Sequence, residues 1–160
     1  MKIGFLFAGQ GAQHPGMGKD FYEHYDCARA VYDSVDIDID VKQLCFAGTQ
    51  EELNDTAVAQ PCILTTSSAI VSVLRAHGIE ASAVAGLSLG EYSALAYAGV
   101  FTPAQGASLV RARGKIMAEA LPAGTSGMAA VLKLSDERVE ELCAAHPGTY
   151  PVNYNCPGQV

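Results

Sequence analysis

The sequence predicts an α/β fold with a parallel sheet, because two short apolar runs are separated by segments of helical character. The first run, residues 2–8, is bounded by a glycine-rich loop. The second run, residues 83–87, leads directly into a helix rich in small residues. Since helices lie between the two runs, we expect parallel strands that are buried on both faces.

Helix start and stop signals follow each run. Helices are predicted over residues 19–34, over a short acidic stretch with a Thr49–Glu52 capping box, and over residues 61–77, 89–98 and 103–120. Pro61 and Pro103 fit the first turn of their helices, and Gly78 and Gly99 fit helix ends. The helix over residues 61–77 carries few charges, so we expect it to be buried.

A change of composition at residues 121–127, "LPAGTSG", predicts a boundary between domains 1–121 and 122–160. Strands are predicted over residues 128–134 and 149–155, with a helix capped by Ser135 between them and a third strand beginning after residue 156. This order is half of a ferredoxin-like module. We therefore expect an α/β-hydrolase-like core subdomain and a ferredoxin-like small subdomain, both incomplete, in a partial polypeptide.

Composition and charge indicate which binding partners and which cellular compartment to expect for this chain. The formal net charge is −7 without a Lys/Arg cluster, which disfavours nucleic acid and anionic membranes as partners. Five cysteines without a C-x-x-C pair indicate reduced thiols in the cytoplasm. No signal peptide is evident, and no stretch is expected to reach the length of a membrane span. The acidic run "DSVDIDID" lacks the glycine and glutamate of a calcium loop, so we expect a solvated loop and no metal site.

The pentapeptide "GLSLG" at residues 86–90 is a G-x-S-x-G motif. It follows a predicted strand and opens a predicted helix, which would place Ser88 on a tight turn near the positive end of the helix. The backbone N–H of Leu89 would then point towards an oxyanion. The motif therefore predicts a nucleophilic serine, and a purely structural turn is the alternative.

The loop "GQGAQ" at residues 9–13 follows the first predicted strand. Its spacing excludes a dinucleotide fingerprint, because residue 14 is histidine, and a P-loop, because Met17 stands where lysine is required. A glycine-lined loop at the carboxyl end of a strand can offer a ligand the N–H of Gln10, or can be structural only. His14 lies in this loop and is one candidate for a catalytic base, although no histidine falls in a motif.

Arg113 is the most informative charged residue. In the predicted helix over residues 103–120, apolar residues recur every three or four positions and form a stripe along one side. Arg113 falls within this stripe, whereas Arg111 falls on the polar side. The stripe consists of Leu109, Val110, Ile116, Met117 and Ala120. A guanidinium directed towards the core needs an anionic partner, and its fork suits a carboxylate. The partner is either a ligand or an acid of the protein itself.

Taken together, the motifs resemble malonyl-CoA:acyl carrier protein transacylases over essentially the whole chain. They are "GQGAQ" at 9–13, "AQP" at 59–61, "GLSLGEYSALA" at 86–96, "RARG" at 111–114 and "VNYNCPGQV" at 152–160. The resemblance implies that Ser88 is the nucleophile, Gln10 and Leu89 form the oxyanion hole, and Arg113 pairs with the malonyl carboxylate. It also implies that Gln60 and Asn155 lie close to the active site.

The sequence departs from the family in two respects. Leu87 precedes the serine, where the family commonly has a histidine that is not the catalytic base. The family's catalytic histidine lies C-terminal to the small subdomain, so we expect it to be absent from these 160 residues.

The resemblance implies a ping-pong transfer of malonyl from malonyl-CoA to an acyl carrier protein, without a metal or redox cofactor, by an enzyme that is monomeric at full length. Two enzymatic alternatives are a serine hydrolase of another G-x-S-x-G family and an acyltransferase domain of a polyketide synthase. A third alternative is non-enzymatic: a fragment, or one half of a two-chain assembly, kept for interaction.

Overall fold

The computed structural model describes residues 2–120 and 124–160, in two compact units that divide between residues 122 and 123. The predicted domain boundary at residue 121 and the start of the predicted 121–127 boundary segment lie outside the described residues. The elements of the first unit are β1 Gly4–Phe7, α1 Lys19–His24, α2 Asp26–Asp33, α3 Val41–Ala47, α4 Gln50–Asn54, α5 Thr56–Ala76, β2 Ala83–Gly86, α6 Leu89–Tyr97 and α7 Pro103–Ala120. The second unit contains α8 Asp136–Ala145.

The two strands pair in parallel, with Gly4 opposite Ala83 and Phe7 opposite Gly86. This pairing and the helices between the strands confirm the predicted α/β class. The prediction that both faces are buried is wrong, because Leu6 is 86% exposed. Side chains alternate along a strand, so Phe5 and Phe7 face Tyr97 of α6, whereas no described element covers the face that carries Leu6.

Helix α5 is the centre of the first unit, and every other helix there packs against it, most extensively α7. It begins at Thr56, five residues before the predicted start at Pro61, because the carboxylate of Asp55 accepts a hydrogen bond from the N–H of Ala57 at 2.7 Å. Pro61 therefore lies inside the helix, where its missing N–H leaves the carbonyl of Ala57 without a helical donor. Arg111 of α7 satisfies that carbonyl through Nη1 at 2.8 Å.

The sequence-based expectation about membrane-span length is also wrong. Helix α5 has 21 residues and a mean hydropathy of 1.6, so by length and composition alone it could cross a membrane. Of its most apolar window, 67% is buried inside the protein, and buried core helices meet the same criteria. The packing of α5 within the first unit favours a core helix.

The predicted helix over residues 19–34 is two helices, because Tyr25 adopts an extended conformation with φ −130° and ψ 117°. Helix α3 was not predicted. It follows Asp40, whose carboxylate accepts a hydrogen bond from the N–H of Gln43 at 2.9 Å. The Thr49–Glu52 capping box is confirmed.

Helix α7 has its predicted bounds, but only part of its apolar stripe is buried. Val110 is fully buried, whereas Ile116 is 66% exposed. The buried side consists largely of small residues, and a Cβ on Gly114 would lie 2.7 Å from the Cα of Ala57. The hydrophobic pattern did not predict this face because glycine and alanine contribute little to it. Arg111 was placed on the polar side, yet its side chain is only 14% exposed.

The acidic run before α3 forms ion pairs across the first unit. Asp38 accepts hydrogen bonds from Arg111 Nε at 2.9 Å and from Lys115 Nζ at 2.7 Å. The predicted solvated loop is half exposed at Asp38, which forms these ion pairs in addition. Within residues 2–120 and 124–160, no cluster of His, Cys, Asp and Glu has the arrangement of a metal site.

In the second unit, α8 is confirmed, and Ser135 accepts a hydrogen bond from the N–H of Arg138 at 3.3 Å. The predicted strands over residues 128–134 and 149–155 do not form continuous ladders. Instead, Leu132 and Gln159 form an isolated antiparallel bridge, flanked by mutual backbone hydrogen bonds of Val131 and Val160. Pro151 lacks the N–H that a ladder requires, which argues against a strand over residues 149–155.

Asp38→Asn should lower the melting temperature at pH 7, because hydrogen bonds from Arg111 and then Lys115 hold the pKa of Asp38 well below its usual range. A depressed folded-state pKa stabilises the fold fully above the unfolded pKa of about 4, and the contribution is lost as pH falls through the folded value. The difference in melting temperature should therefore persist at neutral pH and close in acid. Thermal unfolding followed by circular dichroism across this range measures it.

Asp36→Asn is the matched control, since Asp36 lies in the same loop and forms none of the ion pairs of the described residues. A pH-independent difference between wild type and Asp38→Asn would contradict the electrostatic explanation.

Candidate active site

Ser88 lies on the turn between β2 and α6, with φ 51° and ψ −101°. A non-glycine residue with positive φ is uncommon, and such strain persists only where the surrounding structure enforces it. The side chain of Ser88 is exposed, so its hydroxyl is accessible to a ligand.

Close packing of glycines enforces the turn. A Cβ on Gly86 would overlap the backbone of Gly90, and a Cβ on Gly90 would overlap the carbonyl of Phe7. A Cβ on Gly9 would lie 2.8 Å from the carbonyl oxygen of Leu87. The two glycines of the motif thus let α6 approach both strands, and Gly9 brings the glycine-rich loop beside the turn.

The two predicted oxyanion donors are Leu89, at the start of α6, and Gln10, in the glycine-rich loop. Leu89 is the first residue of α6, so its N–H has no acceptor within the helix. Gln10 follows Gly9, and its side-chain amide donates to Thr56 Oγ1 at 3.0 Å, which ties the loop to the start of α5. Their role as oxyanion donors stays a prediction.

Arg113 reaches Ser88 from α7. Its Nη2 donates to Ser88 Oγ at 3.0 Å, its Nη1 donates to Gln60 Oε1 at 2.6 Å, and the guanidinium carbon lies 5.5 Å from the centre of the Tyr92 ring. No carboxylate of residues 2–120 and 124–160 pairs with Arg113. The alternative of an internal acid is therefore not observed, and the guanidinium is placed to receive a ligand carboxylate.

Gln60 is fully buried on α5, and both ends of its amide are held. Oε1 accepts from Arg113, and Nε2 donates to Met117 Sδ at 3.4 Å. The sequence indicated Gln60 only through the family resemblance. A lone amide within the apolar stretch 57–64 was the residue-level signal that could have identified it.

Two further predicted residues, His14 and Asn155, have local backbone contacts in the structure. His14 Nδ1 contacts the carbonyl of Pro15 at 3.1 Å, and no described hydrogen bond joins a histidine to Ser88. Asn155 belongs to the second unit, where its N–H donates to the carbonyl of Gln159 at 3.0 Å. The predicted place of Asn155 in the active site stays a prediction.

A strained serine between a parallel strand and a helix, beside a glycine-rich loop, defines the class of α/β proteins with a nucleophile elbow. The guanidinium beside the serine has no carboxylate partner among the described residues, and such a group is able to bind a carboxylate ligand. The chain matches the acyl transferase domain family over residues 4–160 and belongs to that family.

Sequence relatives and solved structures agree with this family. The chain is 42% identical to the malonyl CoA-acyl carrier protein transacylase of Bacillus subtilis strain 168, over 99% of this chain and 52% of the relative. The structure of the transacylase of that name from Clostridium perfringens has a TM-score of 0.89 at 42% identity, covering 99% of this chain and 52% of that one.

A third similar protein is a malonyl-transacylase solved in complex with its type II polyketide acyl-carrier protein. It has a TM-score of 0.90 at 38% identity, covering 99% of this chain and 53% of that one. The chain therefore spans about half the length of the relatives that it matches.

Gly86→Ala should destabilise the first unit by about 3 kcal/mol or more, because the new methyl group meets the backbone of Gly90 and not a movable side chain. Gly4→Ala is the matched control: it lies in the paired strand, and its Cβ would meet only a carbonyl oxygen at 3.8 Å. Its effect should stay within about 0.5 kcal/mol. Denaturant unfolding measures both, and equal effects would show that the strand–helix approach is not tight.

Proposed function

We propose that this chain carries the nucleophile and the carboxylate-binding part of a malonyl-CoA:acyl carrier protein transacylase. The observation that carries the proposal is the contact of Arg113 Nη2 with Ser88 Oγ at 3.0 Å. A cation without an acidic partner beside a nucleophile favours an acyl group with its own carboxylate. The names of the relatives support malonyl as that group.

In the proposed first half-reaction, Ser88 Oγ attacks the thioester carbonyl of malonyl-CoA and loses its proton to a base. The N–H groups of Leu89 and Gln10 stabilise the oxyanion of the tetrahedral intermediate. The C–S bond then breaks, coenzyme A leaves as the thiol, and malonyl remains esterified to Ser88. In the second half-reaction, the phosphopantetheine thiol of the carrier protein attacks this ester, and Ser88 regains its proton.

We place the base in the part of the longer relatives that this chain does not match. The support is that Ser88 contacts Arg113, and no described hydrogen bond links Ser88 to a histidine. We also propose that the reaction needs no metal or redox cofactor, since proton transfer and an oxyanion hole suffice for acyl exchange between a thioester and a hydroxyl.

We further propose that the full-length protein is monomeric, acts in the cytoplasm and receives its acceptor from fatty acid synthesis. A cytoplasmic setting is supported by the five cysteines, none of which forms a disulfide within the described residues, and by a sequence without a basic cluster. A polyketide carrier protein is the second candidate acceptor, favoured by the similarity to the solved polyketide complex. A serine hydrolase of another family is the alternative reaction, and it would release free malonate.

Acylation of Ser88 tests the proposal directly. The chain incubated with malonyl-CoA should be acylated only slowly, because a missing general base typically lowers the rate by about 10² to 10⁴. Imidazole in the buffer should supply the base and accelerate formation of a malonyl adduct. Intact-mass measurement and peptide mapping follow the adduct, with Ser88→Ala as the blank.

Rapid stoichiometric acylation without imidazole would refute the placement of the base outside the chain. No adduct at Ser88 with imidazole would refute the proposed function of this chain. Release of free malonate without an accumulating adduct would instead favour the hydrolase.

Arg113→Ala should weaken the preference for malonyl over acetyl. Without the guanidinium, acylation by malonyl-CoA should fall by about tenfold or more, because a charge-assisted hydrogen bond is lost, while acylation by acetyl-CoA should not fall. Competition between the two thioesters, read as the ratio of adducts, measures the change. Arg138→Ala, an exposed arginine of the second unit, is the control. An unchanged ratio in Arg113→Ala would remove Arg113 from substrate selection.

A further inference from the structure

The backbone of the glycine-rich loop has little of its own to fix its conformation beside Ser88. Gln10 lies between Gly9 and Gly11, and Gly11 has φ +112°. Glycine restricts the backbone less than any other residue, so the peptide groups around Gln10 can rotate readily. Gln10 supplies the only side chain of this tripeptide, and the described residues provide no acceptor for its N–H. The N–H is therefore open to a ligand, and the side chain can determine where it points.

Thr56, the first residue of α5, anchors that side chain. Its Oγ1 accepts a hydrogen bond from Gln10 Nε2 at 3.0 Å. The backbone of Thr56 is itself closely packed, because a Cβ on Gly114 of α7 would lie 2.8 Å from its carbonyl oxygen. The next carbonyl, that of Ala57, is bound by Arg111 of α7 at 2.8 Å. The hydroxyl that holds Gln10 thus stands at the contact between α5 and α7.

The start of α5 does not depend on this hydroxyl. Asp55 caps the helix, since its carboxylate accepts a hydrogen bond from the N–H of Ala57 at 2.7 Å. Thr56 is half-buried, and its side chain forms no other hydrogen bond among the described residues than the one with Gln10. Loss of the hydroxyl should therefore affect the loop and leave the helix intact.

A second tether holds the loop further along the chain. Asn54 Oδ1 accepts hydrogen bonds from Gln50 Nε2 at 2.9 Å and from Gln13 Nε2 at 3.4 Å. Gln13 Oε1 in turn accepts from the N–H of Gly11 at 2.8 Å. Asn54 and Thr56 are two residues apart, so the junction of α4 and α5 holds the loop on both sides of Gly11.

We propose that Thr56 is a positioning residue that, through the side chain of Gln10, directs the N–H of Gln10 towards the oxyanion formed when Ser88 attacks. This inference rests on the proposed function of the site, because that oxyanion arises only if Ser88 attacks a thioester. An N–H is most effective when it is aimed beforehand at the place where charge develops. Thr56 acts through Gln10 and does not itself touch the substrate.

Thr56→Val tests this inference, since it removes the hydroxyl and keeps the shape of the side chain. With imidazole as the base, the maximal rate of Ser88 acylation by malonyl-CoA should fall by about threefold to tenfold, the effect of losing one neutral hydrogen bond. The half-saturating concentration of malonyl-CoA should not change, because only the tetrahedral intermediate is stabilised less. Intact-mass measurement of the adduct against time, at several concentrations of malonyl-CoA, gives both quantities.

Gln10→Ala tests the same hydrogen bond from its other end. This variant keeps the backbone N–H and loses only the anchored side chain, so its rate should fall as in Thr56→Val. The double variant should be no slower than either single variant, because residues that act through one shared contact are not additive. Thr56→Ser restores a hydroxyl and should recover most of the wild-type rate.

Thr65→Val is the matched control for the change of a hydroxyl to a methyl group. Thr65 is fully buried on the same helix, and its hydroxyl has no partner among the described residues. Its acylation rate should equal that of the wild type. The ratio of malonyl to acetyl adducts should stay constant in all of these variants, since Arg113 is unchanged.

Each other outcome overturns the inference in a recognisable way. Thermal unfolding identifies any variant that does not fold, and if Thr56→Val does not, Gln10→Ala in the exposed loop takes its place. Wild-type rates in the folded variants would overturn this inference and leave the proposed function standing. So would a change in the half-saturating concentration alone, which would assign Thr56 to substrate binding.

The double variant and the serine variant give two further tests. A double variant slowed by the product of the two single effects would show that Thr56 and Gln10 act independently, and a rate that Thr56→Ser does not restore would show that the hydroxyl is not the cause. Either result would overturn the inference. No adduct on Ser88 of the wild type would overturn the proposed function and this inference together.

Discussion

The close approach of α7 to α5 is the contact on which the candidate site depends. Gly114 lies against the backbone of Ala57, where a Cβ would come within 2.7 Å of the Cα of that residue. One turn further along α5, Pro61 removes the donor of the Ala57 carbonyl, and Arg111 of α7 replaces it at 2.8 Å. A steric requirement and a hydrogen-bond requirement are thus met at one place. Together they fix the position and rotation of α7 relative to α5.

That contact determines which side chains meet at Ser88. Gln60 lies on α5 and Arg113 on α7, so their hydrogen bond at 2.6 Å requires the two helices to keep this spacing. Ser88 comes from a third element, and its turn is enforced by Gly86 and Gly90. The site is therefore assembled on helices and a strand end that approach one another through backbone contacts at small residues.

Local signals in the sequence predicted the parts of this structure that depend on neighbouring residues. The turn at Ser88, the capping box at Thr49 and the bounds of α7 each follow from short motifs and are observed. Features that depend on distant contacts were not predictable in this way. The place of Pro61 inside α5 is one example, because the Ala57 carbonyl that Pro61 leaves without a helical donor is satisfied by Arg111 from a helix about fifty residues away.

Small residues account for much of the remaining difference between the sequence-based predictions and the structure. The sequence pattern gave weight to large side chains such as Ile116, which is exposed, and none to Gly114, which is buried. It also placed Arg113 correctly near an apolar face, but for an incomplete reason. The buried partner of Arg113 is the amide of Gln60 and not a carboxylate.

The charges of α7 are divided between structure and site by helix geometry. Arg111 and Lys115 are four residues apart and so lie on one face, about 40° from each other, and both pair with Asp38. Arg113 is displaced from Arg111 by about 200° and cannot share that acid. The spacing R-x-R-x-K therefore lets two cations share one carboxylate within the first unit and leaves the third cation at Ser88, beside the positive end of α6. Because Asp38 pairs with the other two cations, Arg113 keeps its charge beside Ser88 without a carboxylate partner among the described residues.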